Sequence, residues 1–149
     1  MSHLEKFHAK TLRGLEQLLA DELLELGAER TEVVNRGVNF YGGRAMLYRA
    51  NIASRLSLRV LLPIHRFMAE DPESLYRHVK QYDWSLHLDN RMTFAVDAVT
   101  FSPIFKNSHY AALKVKDAIA DRFRDRTHLR PSVNREHPCV LYTSDAADE

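Results

Sequence analysis

The stretch TLRGLEQLLADELLELG, residues 11–27, carries Leu12, Leu15, Leu19, Leu23 and Leu26 at three- and four-residue steps, with Leu18 at the edge of the same face. Glu16, Asp21 and Glu25 fall off that face. Thr11 is placed to cap its start and Gly27 to end it in a left-handed turn, so the sequence predicts an amphipathic helix with both ends marked. Upstream, residues 6–10 form a short alternating run. Downstream, residues 32–35 and 37–40 are two β-prone runs joined at Asn35-Arg36-Gly37, a hairpin signal. A second helix is expected over 44–54 through Met46, Leu47, Ala50 and Ile52 or Ala53. A strand follows, in which Leu56, Leu58, Val60 and Leu62 alternate with Ser57 and Arg59. The resulting order, β-α-β-β-α-β through Phe67, predicts a ferredoxin-like unit with two helices over one face of an antiparallel sheet.

A second α/β unit is expected from residue 68 onward. MAEDP at 68–72 supplies a break and a helix start, 73–81 reads as helix, and 93–99 as a strand. The main helix of this unit is expected over 109–124, capped by Asn107 or Ser108, with Ala112, Val115, Ile119 and Phe123 on its buried stripe. Arg130-Pro131 stops any continuation. The fold class is therefore α/β (α+β) in two units, with no solenoid repeat and no Gly/Ser-rich or Pro-rich linker.

Composition narrows the function. With 149 residues and 45% hydrophobic content the chain can bury a core, while 21 Lys and Arg against 20 Asp and Glu give no global case for a polyanion partner. Any nucleic-acid argument must rest on local charge. Cys139 is alone, so an internal disulfide is excluded, and no base is placed to activate it. The histidines (His3, His8, His65, His78, His87, His109, His128 and His137) offer no i,i+4 pair and no His-X-Glu spacing, so no metal role is expected. The longest apolar runs, 18–20 and 60–64, are far too short to span a membrane, and a cytoplasmic location is expected.

Several stretches, in order, resemble one family: FHAKTLRGLEQLL at 7–19, GVNF at 37–40, YRAN at 48–51, RVLLP at 59–63, FAVDA at 94–98, and NSHYAALKVKDAI at 107–119 with RPSV at 130–133. Over about residues 7–140 the chain resembles the N-terminal part of bacterial THUMP-containing, S-adenosylmethionine-dependent 23S rRNA guanine-N2 methyltransferases. The resemblance implies a ferredoxin-like domain at 1–67 and an incomplete THUMP domain at 68–140, which together grip structured RNA, with 23S rRNA the expected partner. It also implies a separate Rossmann-like domain that binds the methyl donor and carries an Asn-Pro-Pro-type catalytic motif. This sequence has no such motif and no Gly-rich turn after a strand. The chain is therefore expected to be a non-catalytic RNA-binding fragment with no cofactor of its own. Its last residues, LYTSDAADE at 141–149, depart from the family pattern and read as a non-native, adapter-derived tail, the alternative being a short acidic terminus.

Residues 101–135 hold eight Lys and Arg against three Asp, a local excess of five positive charges. A solvated helix face is the plain reading of that count. On a helical wheel Lys114, Asp117, Asp121 and Asp125 share an outer face where they neutralise one another. Lys106, Asn107 and Ser108 instead lie at the helix start, whose unpaired N–H groups and positive dipole end favour an anion. The RNA-binding candidates are thus Lys106, Asn107 and Ser108, then Lys114, Lys116, Arg122, Arg130 and, in the first unit, Arg13. Lys116 projects near the buried stripe and either snorkels or points into a groove. Arg13-Gly14, in the first turn of the first helix, reads as tight helix–sheet packing ahead of a second phosphate contact, and Arg55 and Arg59 as a solvent side ahead of a basic lane. Trp84 with Tyr82 reads as core aromatic ahead of base stacking. Two alternatives stand beside RNA binding for a methyltransferase: a ferredoxin-like module for small-ligand sensing or oligomerisation, and the THUMP region of another RNA-modifying enzyme.

Overall fold

The computed structural model describes residues 4–146, and the chain divides into two compact units at Arg66/Phe67. His3 and residues 147–149 lie outside the described residues. In the first unit β1 (Glu5–Lys10), α1 (Glu16–Glu25), β2 (Arg30–Val34), β3 (Gly37–Gly42), α2 (Arg44–Ala53) and β4 (Arg59–Leu61) follow in order. The strands form one antiparallel sheet in the order β2-β3-β1-β4. This is the ferredoxin-like arrangement.

Register explains the core. Phe7 pairs with Phe40, and Ala9 with both Val38 and Val60, so these residues share one face of the sheet. They are covered by Leu19, Ala20 and Leu23 of α1 and by Met46 and Ala50 of α2. The Phe7 and Phe40 rings lie 5.3 Å apart. α1 ends as its sequence predicts. Gly27 adopts φ +106°, and the Ala28 and Gly27 N–H groups donate to the Leu23 and Leu24 carbonyls, which closes the last turn in a Schellman motif.

The start of α1 differs from expectation. Its first helical residue is Glu16, and the Thr11 hydroxyl donates to the Leu56 carbonyl across the unit (2.9 Å) instead of capping the helix. Leu12 is 59% exposed and Leu18 is also exposed, so the apolar stripe narrows to Leu15, Leu19, Leu23 and Leu26. Arg13-Gly14 forms a turn before the helix. Gly14 is there for its φ of +93°, and a side chain at that position would meet nothing within 4 Å, so tight packing does not account for it. In α2, Ile52 and Ala53 are exposed and burial rests on Met46 and Ala50. Leu58, expected to alternate inward, is exposed and precedes the short β4.

In the second unit α3 (Pro72–Gln81) starts at a capping box, where Asp71 accepts from the Ser74 N–H (2.6 Å) and the Ser74 hydroxyl receives the Asp71 N–H. A short 3₁₀ turn at Trp84–Leu86 leads to β5 (Thr93–Thr100). Trp84 is buried and its indole donates to the Val79 carbonyl (2.7 Å), as expected of a core aromatic. Then follow α4 (Ser108–Thr127), β6 (Ser132–Val133) and β7 (Val140–Ala146), in a sheet of order β6-β5-β7 with both pairings parallel. α4 ends at His128, which takes φ +60° before Pro131 is reached.

Residues 141–146, set apart in the sequence as an appended tail, are strand in this structure. They extend β7 along the whole of β5, from Phe94 opposite Val140 to Thr100 opposite Ala146. The apolar anchor is Tyr142, whose ring meets Trp84 edge-on at 4.8 Å and Phe94 at 6.5 Å. β7 takes the edge of β5 opposite β6.

Candidate nucleic-acid interface

The loop from β5 to α4 is FSPIFKN, residues 101–107. Phe105 is buried and pins it, while Lys106, Asn107 and Ser108 are exposed. Asn107 is the cap: its side-chain oxygen accepts from the Tyr110 N–H (3.2 Å) and its carbonyl from the Ala111 N–H (3.1 Å). Ser108 is the first helical residue. The first turn of α4 holds no acidic residue, so the positive end of the helix faces outward beside the Lys106 ammonium. These three consecutive residues stand together at the start of α4.

The remaining candidates on α4 are not part of that cluster. Lys114 binds Glu73 of α3 (2.9 Å), which raises its pKa, and lies 5.8 Å from the Tyr76 ring and 5.9 Å from that of Tyr110. Lys116 settles against Asp117 (3.1 Å). Asp121, only 17% exposed at its side chain, accepts from the Tyr76 hydroxyl (2.6 Å) and meets both Arg124 (3.2 Å) and Arg130 (3.6 Å). Asp125 pairs with Lys80 (2.7 Å), and that hydrogen bond holds its carboxyl below the usual range.

The expected outer face of α4 is thus the face against α3. Its charges are neutralised both across to α3, where Glu73, Tyr76 and Lys80 carry complementary groups at matching steps, and along α4, where Asp117 meets Lys116 and Asp121 meets Arg124. Nothing in the α4 sequence alone marks which face a second helix will take.

Arg122 lies elsewhere, lining a cleft of about 300 Å³ with Asp83, Leu88, Asn90, Phe123 and Arg126. Arg126 binds Asp83 (3.0 Å), whose carboxyl is held low first by the Ser85 hydroxyl and then by the two arginine charges. The Arg122 Nε is buried with no hydrogen-bond partner among the described residues. Arg13 is exposed in its turn in the first unit. Arg55 is exposed and meets Glu22 at 3.6 Å, ahead of β4 rather than on it.

Among the described residues no group of three or more His, Cys, Asp or Glu is arranged to hold a metal ion. Cys139 is exposed, and hydrogen bonding with Thr93 lowers its pKa. The crossover from β5 to α4 contains no glycine to let backbone approach a ligand, whereas Gly14 lies between β1 and α1 and Gly42-Gly43 at the junction of β3 and α2. No helix described is long and apolar enough to cross a membrane.

An antiparallel sheet under two helices, followed by a unit with a parallel sheet and a long capped helix, defines a ferredoxin-like module joined to a THUMP module. Residues 6–61 match the RlmL ferredoxin-like domain and residues 69–141 the THUMP domain. The chain therefore carries these two domains in succession. It is 45% identical over 135 residues to ribosomal RNA large subunit methyltransferase K/L of Syntrophotalea carbinolica, covering 91% of this chain and 19% of that protein. With the K/L methyltransferase of Aeromonas salmonicida it is 41% identical over 137 residues, covering 92% of this chain and 19% of the relative. The chain thus spans about a fifth of the length of these relatives. Among solved structures, TrmN from Thermus thermophilus superposes with a TM-score of 0.69 at 24% identity, over 97% of this chain and 42% of the other. A Listeria monocytogenes protein described as an N6-adenine-specific DNA methylase gives 0.77 at 23% identity, over 95% and 37%. At these identities the structures attest the fold.

Proposed function

We propose that this chain binds structured RNA of the large ribosomal subunit and positions it for guanine-N2 methylation by an S-adenosylmethionine-dependent domain of the longer protein. The observation that carries this reading is the succession of an RlmL ferredoxin-like and a THUMP domain in a chain 45% identical to a large-subunit rRNA methyltransferase. Lys106, Asn107 and Ser108 form its phosphate contact, with the dipole end of α4 behind them. Recognition is by backbone and shape, since the groups on offer are an ammonium, an amide and a hydroxyl. Its compartment is the cytoplasm, where ribosomal RNA is modified. Residues 141–149 remain, in this reading, an appended segment, of which 141–146 pair with β5.

Fluorescence anisotropy with a labelled large-subunit rRNA hairpin, over a salt series, tests the reading. Binding should weaken steeply as salt rises. Absence of salt-sensitive binding at tens of micromolar protein would refute it.

A further inference from the structure

The helices of the first unit cover one face of its sheet, the face of Phe7, Ala9, Val38, Phe40 and Val60. Strand alternation sends the intervening residues to the other side, and the register arranges them in three rows. Lys6 lies opposite Tyr41, which lies opposite Arg30. His8 lies between Leu61 and Asn39, with Glu32 beyond. Lys10 lies between Arg59 and Gly37.

The charge of the chain is concentrated here. Residues 1–66 hold ten Lys and Arg against seven Asp and Glu, whereas residues 67–149 hold eleven against thirteen. Lys6, Lys10, Arg30 and Arg59 lie on this face together with Glu32. Lys6 and Lys10 sit four strand steps apart, about 13 Å, on a central strand.

The middle of the face is built for flat groups. The Arg30 guanidinium stacks 4.1 Å from the centre of the Tyr41 ring. Glu32 holds both, binding Arg30 (3.0 Å) and accepting from the Tyr41 hydroxyl (3.0 Å). His8 Nδ1 and Asn39 Oδ1 lie 2.8 Å apart. Gly37 lets the imidazole lie close over β3, since a Cβ there would come within 2.8 Å of His8 Cε1.

We propose that this sheet face, opposite the two helices, binds an unpaired stretch of RNA, with its phosphates along Lys6 and Lys10 and a base stacked beside Tyr41 and Arg30. The proposal rests on the RNA-binding reading and adds a second RNA surface of different selectivity. Charge complementarity selects a polyanion, and an aromatic–guanidinium platform selects an exposed base over a closed duplex.

The test uses the full chain and two RNAs, a short unstructured oligoribonucleotide and a blunt duplex of the same length. Lys6→Glu with Lys10→Glu should weaken binding of the unstructured RNA at least tenfold and make its log–log salt slope shallower by about 1.4, from about 0.7 for each of the two phosphates no longer neutralised. Tyr41→Ala should weaken it about tenfold while Tyr41→Phe retains affinity, and circular-dichroism melts establish that each variant is folded. Unchanged binding of the unstructured RNA by the Lys6/Lys10 variant, with the hairpin still bound through the start of α4, would overturn this surface and leave the RNA-binding reading standing. Equal losses on unstructured and duplex RNA would overturn the selectivity for unpaired bases. Failure of the parent chain to bind either RNA or the hairpin would remove both readings together.

Discussion

Glu22, on α1, anchors the loop that delivers β4 and with it Arg59. Its side chain is 11% exposed and accepts from the Ser54 hydroxyl (2.8 Å), the Arg55 N–H (3.0 Å) and the Leu56 N–H (3.3 Å). Replacing Glu22 by Ala leaves the part-buried Ser54 and Leu56 donors without their acceptor, at about 1–3 kcal/mol for each buried group left unpaired, while the exposed Arg55 N–H turns to water. The expected loss is about 2–4 kcal/mol for the first unit, read as the first transition of a urea titration, with the second unit unaffected. The pH dependence has a definite sign. Burial opposes ionisation of Glu22, but the hydrogen bonds from Arg55, Ser54 and Leu56 outweigh it and lower the pKa below 4.5. The stabilisation is therefore fully present above pH 4.5 and is lost as pH falls through the lower, folded-state value. Glu22→Gln should flatten that acid limb. A loss under about 0.5 kcal/mol for the alanine variant, or an acid limb unchanged in the glutamine variant, would refute the anchoring role.

Three further outcomes are expected. Lys106→Glu should weaken hairpin binding by about 1–3 kcal/mol, the scale of a charge-assisted hydrogen bond to phosphate, whereas Arg135→Glu, with the same change in net charge, should act far less; equal effects in the same anisotropy assay would dissolve the localised anchor. Calorimetric titration of this chain with S-adenosylmethionine should give no heat above dilution, and micromolar binding would contradict the reading of this chain as an RNA-binding fragment that leaves the methyl donor to another domain. Tyr142, whose hydroxyl is buried with no hydrogen-bond partner among the described residues and whose pKa is pushed up to about 12 by burial, should titrate last of the tyrosines in ultraviolet difference spectra, and the second unit should lose stability as pH rises above 10. Tyr142→Phe should remove that alkaline loss without lowering the melting temperature at neutral pH.

The elements legible in the sequence are those whose signal is local. Gly27 marks the end of α1 because only a left-handed residue closes a Schellman turn there, and Asn107 marks the start of α4 because its side chain replaces a missing backbone acceptor. The start of α1 is not legible in this way. Thr11 is an excellent cap by type, yet the Leu56 carbonyl 45 residues away takes its hydroxyl, and the helix begins later without a side-chain cap. The strand β7 is hidden for a related reason: its pairing is decided by the free edge of β5, a partner that the tail's own residues do not advertise.

Charge shows the same division between local and non-local information. The window 101–135 holds eight Lys and Arg against three Asp, but packing α3 against α4 ties Lys114 to Glu73, while Asp121 of α4 takes up both Arg124 and Arg130. What stays available near α4 is the exposed Lys106 at its start. On the first unit's sheet the lysines are thinly spaced in sequence, two positions among six residues of β1, and so pass unnoticed in a charge count. Alternation puts them on one side, and antiparallel pairing sets Arg30 and Arg59 from distant strands on the same side. A sequence window measures how many charges are near one another along the chain. The field that an RNA meets depends on which of them the fold has already spent on one another.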